Sequence, residues 1–162
     1  MNDNLKISII IIGHNTAVEL RELLNSINEL EGAANIVEVI YIDDGSCDSS
    51  FLMFQNFNLK FHKVGKNLDK NYGRSFATQE GVNLARGLWC LFVRSNESVS
   101  PGLILEFKKA ILSNTALAYM GIVKYRSKDK KFEKYLNNPK RGVQLYQCGE
   151  RIHYKFLLFN NS

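Results

Sequence analysis

No stretch of this sequence is long and apolar enough to cross a bilayer as a helix. The longest aliphatic run near its start, Ile7 to Ile12, falls far short of the roughly 20 residues required. No basic segment followed by an apolar stretch and a small-residue cleavage site opens the chain, which argues against secretion and for a cytoplasmic protein. Cysteine is sparse: Cys47, Cys90 and Cys148 are odd in number, widely spaced and without a CxxC pair. That pattern argues against a disulfide framework or a zinc site and fits a reducing compartment. His14, His62 and His153 are equally scattered. Gly65-Lys66 lacks the glycine-rich loop of a nucleoside triphosphatase, and no GxGxxG follows the first strand, so a dinucleotide-binding oxidoreductase is unsupported.

What remains is an ordinary globular composition. The 162 residues are 45% hydrophobic and 23% charged, enough for one domain with a real core. No repeat, low-complexity tract or Pro/Gly-rich linker divides them. The net charge of +5 is uneven: acidic residues dominate the first third, and Lys124, Arg126, Lys128, Lys130, Lys131, Lys134, Lys140 and Arg141 crowd the last. Such a region can meet anionic lipid or a phosphorylated ligand, or be a solvated face. No RNA-binding aromatic signature accompanies it, so nucleic acid is not an expected partner.

Strands alternate with helices along the chain. Ile7–Ile12 is a continuous β-branched run, as in a strand buried on both faces. Thr16 and Glu19 have the spacing of a capping box, and Leu20, Leu23, Leu24, Ile27 and Leu30 recur at helical spacing behind them. Val37–Ile42 reads as a second buried strand, followed by a short helix after Asp48 and a strand near Leu59–Val64. A helix with small residues over Gly73–Arg86 and a central strand at Leu88–Val93 come next. Ser100 as N-cap and Pro101 in the first turn start a helix with a buried stripe of Leu103, Ile104, Phe107 and Ile111, and Ala116–Tyr125 is a last strand. This alternation predicts an α/β sandwich around a mainly parallel sheet. Ligands of such sheets bind beyond the carboxyl ends of the strands, which directs attention to the loops 13–16, 43–48 and 94–100.

Loop 43–48 is the sharpest of these. Asp43, Asp44 and Asp48 follow a buried strand, and Gly45 allows a tight backbone turn. A carboxylate there can accept the imide N–H of a uracil ring; equally, the segment can be an Asp-rich turn capping the next helix.

Neighbouring segments give this loop a context. Ile7-Ser8-Ile9-Ile10-Ile11-Ile12-Gly13-His14-Asn15 resembles the opening strand and turn of family 2 glycosyltransferases, where the turn is commonly Pro-Thr-Tyr-Asn. Val39-Ile40-Tyr41-Ile42-Asp43-Asp44-Gly45-Ser46-Cys47-Asp48 resembles the family's nucleotide-binding strand and loop. Asn67, Gly73-Arg74-Ser75-Phe76-Ala77, Gly81, Ala85 and Gly87 are similar to its N…GxSxAxNxG…AxG segment, and Leu91–Glu97 with Pro101 stands where FLDxDD…P does. The resemblance runs in order from Ile7 to Leu105.

It implies a GT-A fold, a Rossmann-like nucleotide-diphospho-sugar sandwich, and transfer of a sugar from a nucleotide donor, most often a uridine diphosphate sugar. The acceptor would be a saccharide or lipid-linked molecule, at the cytoplasmic face of a membrane, with the basic region in peripheral contact. The implied donor-binding residues are His14 and Asn15 beside the base, Asp44 with Asp43 holding it, and Arg74 and Arg94 near the diphosphate. The implied organisation is a single domain over residues 1–162. Within it, 1–105 binds the nucleotide sugar, and the basic part, 106–162, reads as a truncated acceptor half.

One departure bears on chemistry. The family's DxD motif holds Mg²⁺ or Mn²⁺ against the diphosphate, and here Arg94-Ser95-Asn96-Glu97 replaces it. Either Glu97, with Asn96, holds the cation, or Arg94 pairs with the phosphates, or the donor chemistry is lost and the domain is a non-catalytic nucleotide-binding or scaffold module. No carboxylate beyond Glu97 (Glu106, Asp129, Glu133, Glu150) sits in a recognisable base motif.

Overall fold

A computed structural model describes residues 6–112, 118–120 and 144–147 of the chain. Their strands are β1 (Ile7–Gly13), β2 (Ile36–Asp43), β3 (Lys63–Asn67), β4 (Trp89–Arg94), β5 (Ala118–Met120) and β6 (Gln144–Gln147). The α-helices are α1 (Ala17–Asn28), α2 (Ser50–Asn56), α3 (Arg74–Leu84) and α4 (Leu103–Leu112). The sheet order is β3-β2-β1-β4-β6-β5. β1 to β4 are mutually parallel where paired, while β6 runs antiparallel to β4 and to β5. The predicted mainly parallel sandwich is therefore present, with an antiparallel pair on one edge.

The period-2 geometry of the strands sorts their side chains into two cores. Ile7, Ile9, Ile11, Val39, Tyr41, Leu91 and Val93 face one way, against Leu20, Leu23, Leu24 and Ile27 of α1, Met53 and Phe54 of α2, and Ile104 and Phe107 of α4. Ile10, Ile40, Ile42 and Cys90 face the other way, where Ala77 of α3 meets them. Burial on both faces explains why β1 and β2 read as unbroken apolar runs. Each fully buried Leu or Ile contributes about 1.5–3 kcal/mol. Close approach of α3 requires Gly81, because a Cβ there would lie 2.5 Å from Ile10 Cγ2.

Several boundaries differ from the sequence reading, each for a physical reason. The capping box at Thr16 does not form. Thr16 Oγ1 donates to Ser95 Oγ (2.9 Å), and the Ala17 N–H at the head of α1 is taken by Asp48 Oδ2 (3.1 Å), from another loop. The third strand is Lys63–Asn67 rather than 59–64, since Leu59 and Phe61 pack against the core as part of a connection. Helix α3 is shorter than 73–86, with Gly73 as its N-cap and Ala85 as its C-cap. Helix α4 starts at Leu103 because the Pro101 carbonyl accepts the Glu31 N–H (2.9 Å) and Ser100 and Pro101 stay outside the helix. Of the strand expected at 116–125, Ala118–Met120 is observed and the rest lies outside the described residues. Outside them too lie the basic region, Cys148, Asp129, Glu133 and Glu150; Cys47 is exposed and free, and Cys90 is buried.

At the amino end of the sheet sits a carboxylate that sequence reading passed over. Glu38, on the α3 side of β2, is fully buried and accepts hydrogen bonds from Ser8 Oγ, the Arg86 N–H and Arg86 Nε, each at 2.7 Å. Ser8 Oγ in turn accepts the Gly87 N–H (2.8 Å), so the turn from α3 into β4 is tied to β1 and β2. Burial pushes the Glu38 carboxyl up, but the Arg86 N–H, the Ser8 hydroxyl and the Arg86 guanidinium together outweigh it and hold the group below its usual range. Glu38 therefore contributes stability that is present above the ordinary glutamate range near ~4.3 and lost as pH falls through its lower folded value. Glu38→Ala is expected to cost about 2–3 kcal/mol at neutral pH, because the Arg86 and Ser8 donors lose a buried acceptor. Urea titrations of Glu38→Gln and the parent between pH 7 and pH 3 should converge as pH falls; a constant gap would contradict the assignment.

Candidate active site

The carboxyl ends of the parallel strands come together as the alternation predicts. Gly13 pairs with Asp43 across β1 and β2, Ile12 with Arg94 across β1 and β4, and Asp43 with Asn67 across β2 and β3. Connections 14–16, 44–49, 68–73 and 95–102 thus share one edge, and the strand order reverses between β1 and β4 there.

Asp43 and Asp44 are both buried but do different work. Asp43 is wholly enclosed: Oδ1 accepts from Tyr41 Oη (2.8 Å) and Ser46 Oγ (2.5 Å), and Oδ2 accepts the Ser46 N–H (3.1 Å). Burial, then the neighbouring Asp43 carboxylate, push the Tyr41 phenol far above its usual range, so it stays a donor. Asp43 is the staple of the turn. Asp44 points the other way, with Oδ1 accepting the Tyr72 N–H (2.8 Å) and Oδ2 the Gly73 N–H (3.0 Å). Each carboxylate oxygen has a further lone pair, so Asp44 keeps capacity to accept another N–H. Gly45 lies against the same segment at φ +69°. A Cβ there would stand 2.3 Å from the Lys70 carbonyl carbon, so the turn is specific to glycine.

The connection 68–73 is thus part of the site, and the sequence reading did not single it out. Its signal was Gly73, at φ +89° immediately before α3. On its outer side Tyr72 and Phe76 stack with centroids 4.6 Å apart, and the Lys70 ammonium lies 4.9 Å from the Tyr72 ring. A hydrogen bond to Asp69, foremost, raises the Tyr72 phenol.

His14 and Asn15 stand beside this pair. His14 Nδ1 lies 2.8 Å from the Asp44 carbonyl oxygen, which can only accept, so Nδ1 carries the proton. Asn15, at φ +53°, accepts the N–H groups of Cys47 (2.7 Å) and Asp48 (3.3 Å) on its Oδ1, and its own N–H donates to Ser46 Oγ (2.8 Å). Asp48 completes the frame by accepting from Ser50 and Ala17. Burial pushes its carboxyl up, but the Ser50 and Ala17 donors outweigh it and hold the group below the usual range.

The remaining predicted residues are looser. Arg74 is exposed at the first position of α3, adjacent to Gly73, and Arg94 is exposed at the end of β4. No ion pair engages either guanidinium among the described residues. Glu97 Oε2 accepts the Arg94 N–H (2.9 Å), closing a turn, while Asn96 is exposed. Among the described residues no three His, Cys, Asp or Glu side chains converge as a metal group. Glu97 and Asn96 could serve a hard cation only with most of its oxygen shell supplied by something else, such as phosphates and water.

The family model described as Glycosyl transferase family 2 matches residues 8–160, nearly the whole chain. The chain belongs to that family. Similar proteins include the uncharacterized glycosyltransferase YibD of Escherichia coli (strain K12), 30% identical over 101 residues. Another is the uncharacterized glycosyltransferase YfnE of Bacillus subtilis (strain 168), 27% identical over 118 residues. The matches cover 62% and 73% of this family 2 chain but 29% and 30% of those relatives, so it spans less than a third of their length. Among solved structures, Staphylococcus aureus TarS 1–349 in complex with UDP-GlcNAc superposes with a TM-score of 0.70 at 21% identity, over 88% of this chain and 45% of that one. The mannosyltransferase PcManGT from Pyrobaculum calidifontis, in complex with GDP-Man and Mn²⁺, does so with 0.72 at 15% identity, over 88% and 44%. Both are GT-A enzymes, and this family 2 chain has their fold.

The enclosure of Asp43 leads to a stability test. Tyr41→Phe removes one of its donors and is expected to lower stability by about 1–2 kcal/mol. A thermal midpoint equal to that of the parent would show that the Tyr41–Asp43 bond carries no weight.

Proposed function

We propose that the carboxyl edge of this sheet is a nucleotide-sugar donor site, for a uridine diphosphate sugar, and that the chain transfers the sugar to a saccharide or lipid-linked acceptor. The observation that carries the reading is Asp44, a nearly buried carboxylate with acceptor capacity left over, at the strand ends of a family 2 glycosyltransferase. An imide N–H suits that carboxylate, and His14 borders it. UDP-GlcNAc in TarS and GDP-Man in PcManGT support the class of donor.

In the reaction the bond from the sugar's anomeric carbon to the diphosphate oxygen breaks and one to the acceptor oxygen forms, leaving negative charge on the nucleotide diphosphate. Arg94 stands at the strand end next to β1, where the sheet order reverses, and is the cation suited to that charge; Arg74 flanks the site from α3. A divalent ion on Glu97 and Asn96 would supply the same neutralisation. In this reading residues 1–105 hold the donor, and the basic part, 106–162, faces the acceptor or an anionic membrane surface.

A second reading, a non-catalytic nucleotide-binding module, has one observation in its favour. Glu106, the remaining described carboxylate beyond Glu97, lies exposed in a pair with Lys109 on α4 (2.8 Å) and is no candidate base.

Calorimetric titration with UDP, with and without Mn²⁺, separates these readings. The donor reading expects Asp44→Ala to weaken UDP binding by about tenfold or more. Arg94→Ala is expected to weaken it comparably, with Mn²⁺ changing parental affinity by less than about threefold. Strong Mn²⁺ dependence would move the role to Glu97, and absence of UDP binding would defeat the donor site. Binding without hydrolysis or transfer of a UDP-sugar would favour the module.

A further inference from the structure

Asn15 was expected to border the base of the donor. Its geometry points elsewhere. The backbone N–H donates to Ser46 Oγ (2.8 Å), the hydroxyl that itself donates to Asp43 Oδ1 (2.5 Å). The amide Oδ1 takes the Cys47 N–H at 2.7 Å and the Asp48 N–H at 3.3 Å. The amide Nδ2 lies 3.1 Å from His14 Nε2, which is the acceptor nitrogen of the ring because Nδ1 donates to the Asp44 carbonyl. Asparagine is also among the few residues that tolerate the left-handed backbone found here, φ +53°. Although Asn15 is exposed, its backbone and both ends of its side chain are thus bonded to the protein's own groups, on the loop that carries Asp44 and on the ring beside it.

We propose that Asn15 is a positioning residue: it bolts the first loop to the second, orients the His14 ring and fixes Asp44 relative to it, and gives the donor no contact of its own. A corollary concerns His14. With both ring nitrogens engaged, its contact with a donor is made by the faces and carbon edge of the ring. The inference rests on the donor reading for its consequence in binding, but not for the bolt itself.

Two variants separate positioning from contact. Asn15→Asp keeps the Oδ1 acceptor and tolerates the backbone, but exchanges the Nδ2 donor for a carboxylate oxygen and adds a negative charge; Asn15→Gly keeps the backbone and loses every side-chain bond. Amide hydrogen exchange should show Cys47 and Asp48 protected in the parent and in Asn15→Asp, and exposed in Asn15→Gly. Nitrogen-15 NMR of the parent's neutral His14 ring should find the proton on Nδ1. UDP affinity is expected to fall about tenfold in Asn15→Gly. Unchanged affinity in Asn15→Gly despite lost protection would overturn the proposal. So would protection of Cys47 and Asp48 that survives in Asn15→Gly. If the parent fails to bind UDP, the donor reading falls alone. Protection of Cys47 and Asp48 and the His14 proton then still decide the bolt, and their loss of dependence on Asn15 overturns it.

Discussion

Two adjacent carboxylates end strand β2 and both are buried, which neither could be without donors from the surrounding chain. Much of the site's architecture follows from that demand. Asp43 draws Tyr41 and Ser46 around itself and so bends the loop; Asp44 draws the N–H groups of Tyr72 and Gly73 and so holds the β3–α3 connection over it. The site edge is a set of loops cross-braced by backbone donors, which fixes geometry without a metal or a disulfide among the described residues.

The bracing extends to the helices. Asp48, in the same loop, takes the first N–H of α1, so that the helix begins where the second loop permits, and Ser50 Oγ accepts the Thr16 N–H (3.0 Å) from the head of α2. Thr16, freed from capping its own helix, reaches across to Ser95 on the third loop. A Cβ at Gly13 would stand within 3 Å of Thr16 Oγ1, Ser95 Oγ and Tyr41 Oη, so the crossing of these loops over the end of β1 leaves no room for a side chain. The far end of the sheet has its own lock in Glu38, Ser8 and Arg86, which steadies the same strands.

How much of this was legible beforehand divides by type of interaction. The strands β1, β2 and β4 and the helix α1 were readable because burial on one or both faces leaves an apolar period in the chain itself. The edge strand β3 was misplaced, since its residues Gly65, Lys66 and Asn67 are exposed and carry no such period. The cap on α1 was misassigned because Thr16 and Glu19 have the right spacing, but spacing is blind to two competing acceptors: Asp48, 31 residues from the Ala17 N–H it takes, and Ser95, 79 residues from the Thr16 hydroxyl it takes.

By itself the sequence determined the alternating sandwich, the three loops that gather at its carboxyl edge, and membership of a family through Asp43-Asp44-Gly45-Ser46 and its neighbours. These are local properties, carried by hydropathy period and by residues close together in the chain. Only the tertiary structure decided which of the paired aspartates is sealed as a staple and which keeps a lone pair for another partner. It also recruited Tyr72 and Gly73, and tied Asn15 to the second loop. Hydrogen bonds between loops distant in sequence are set by where the strands end side by side, and no spacing along the chain encodes that.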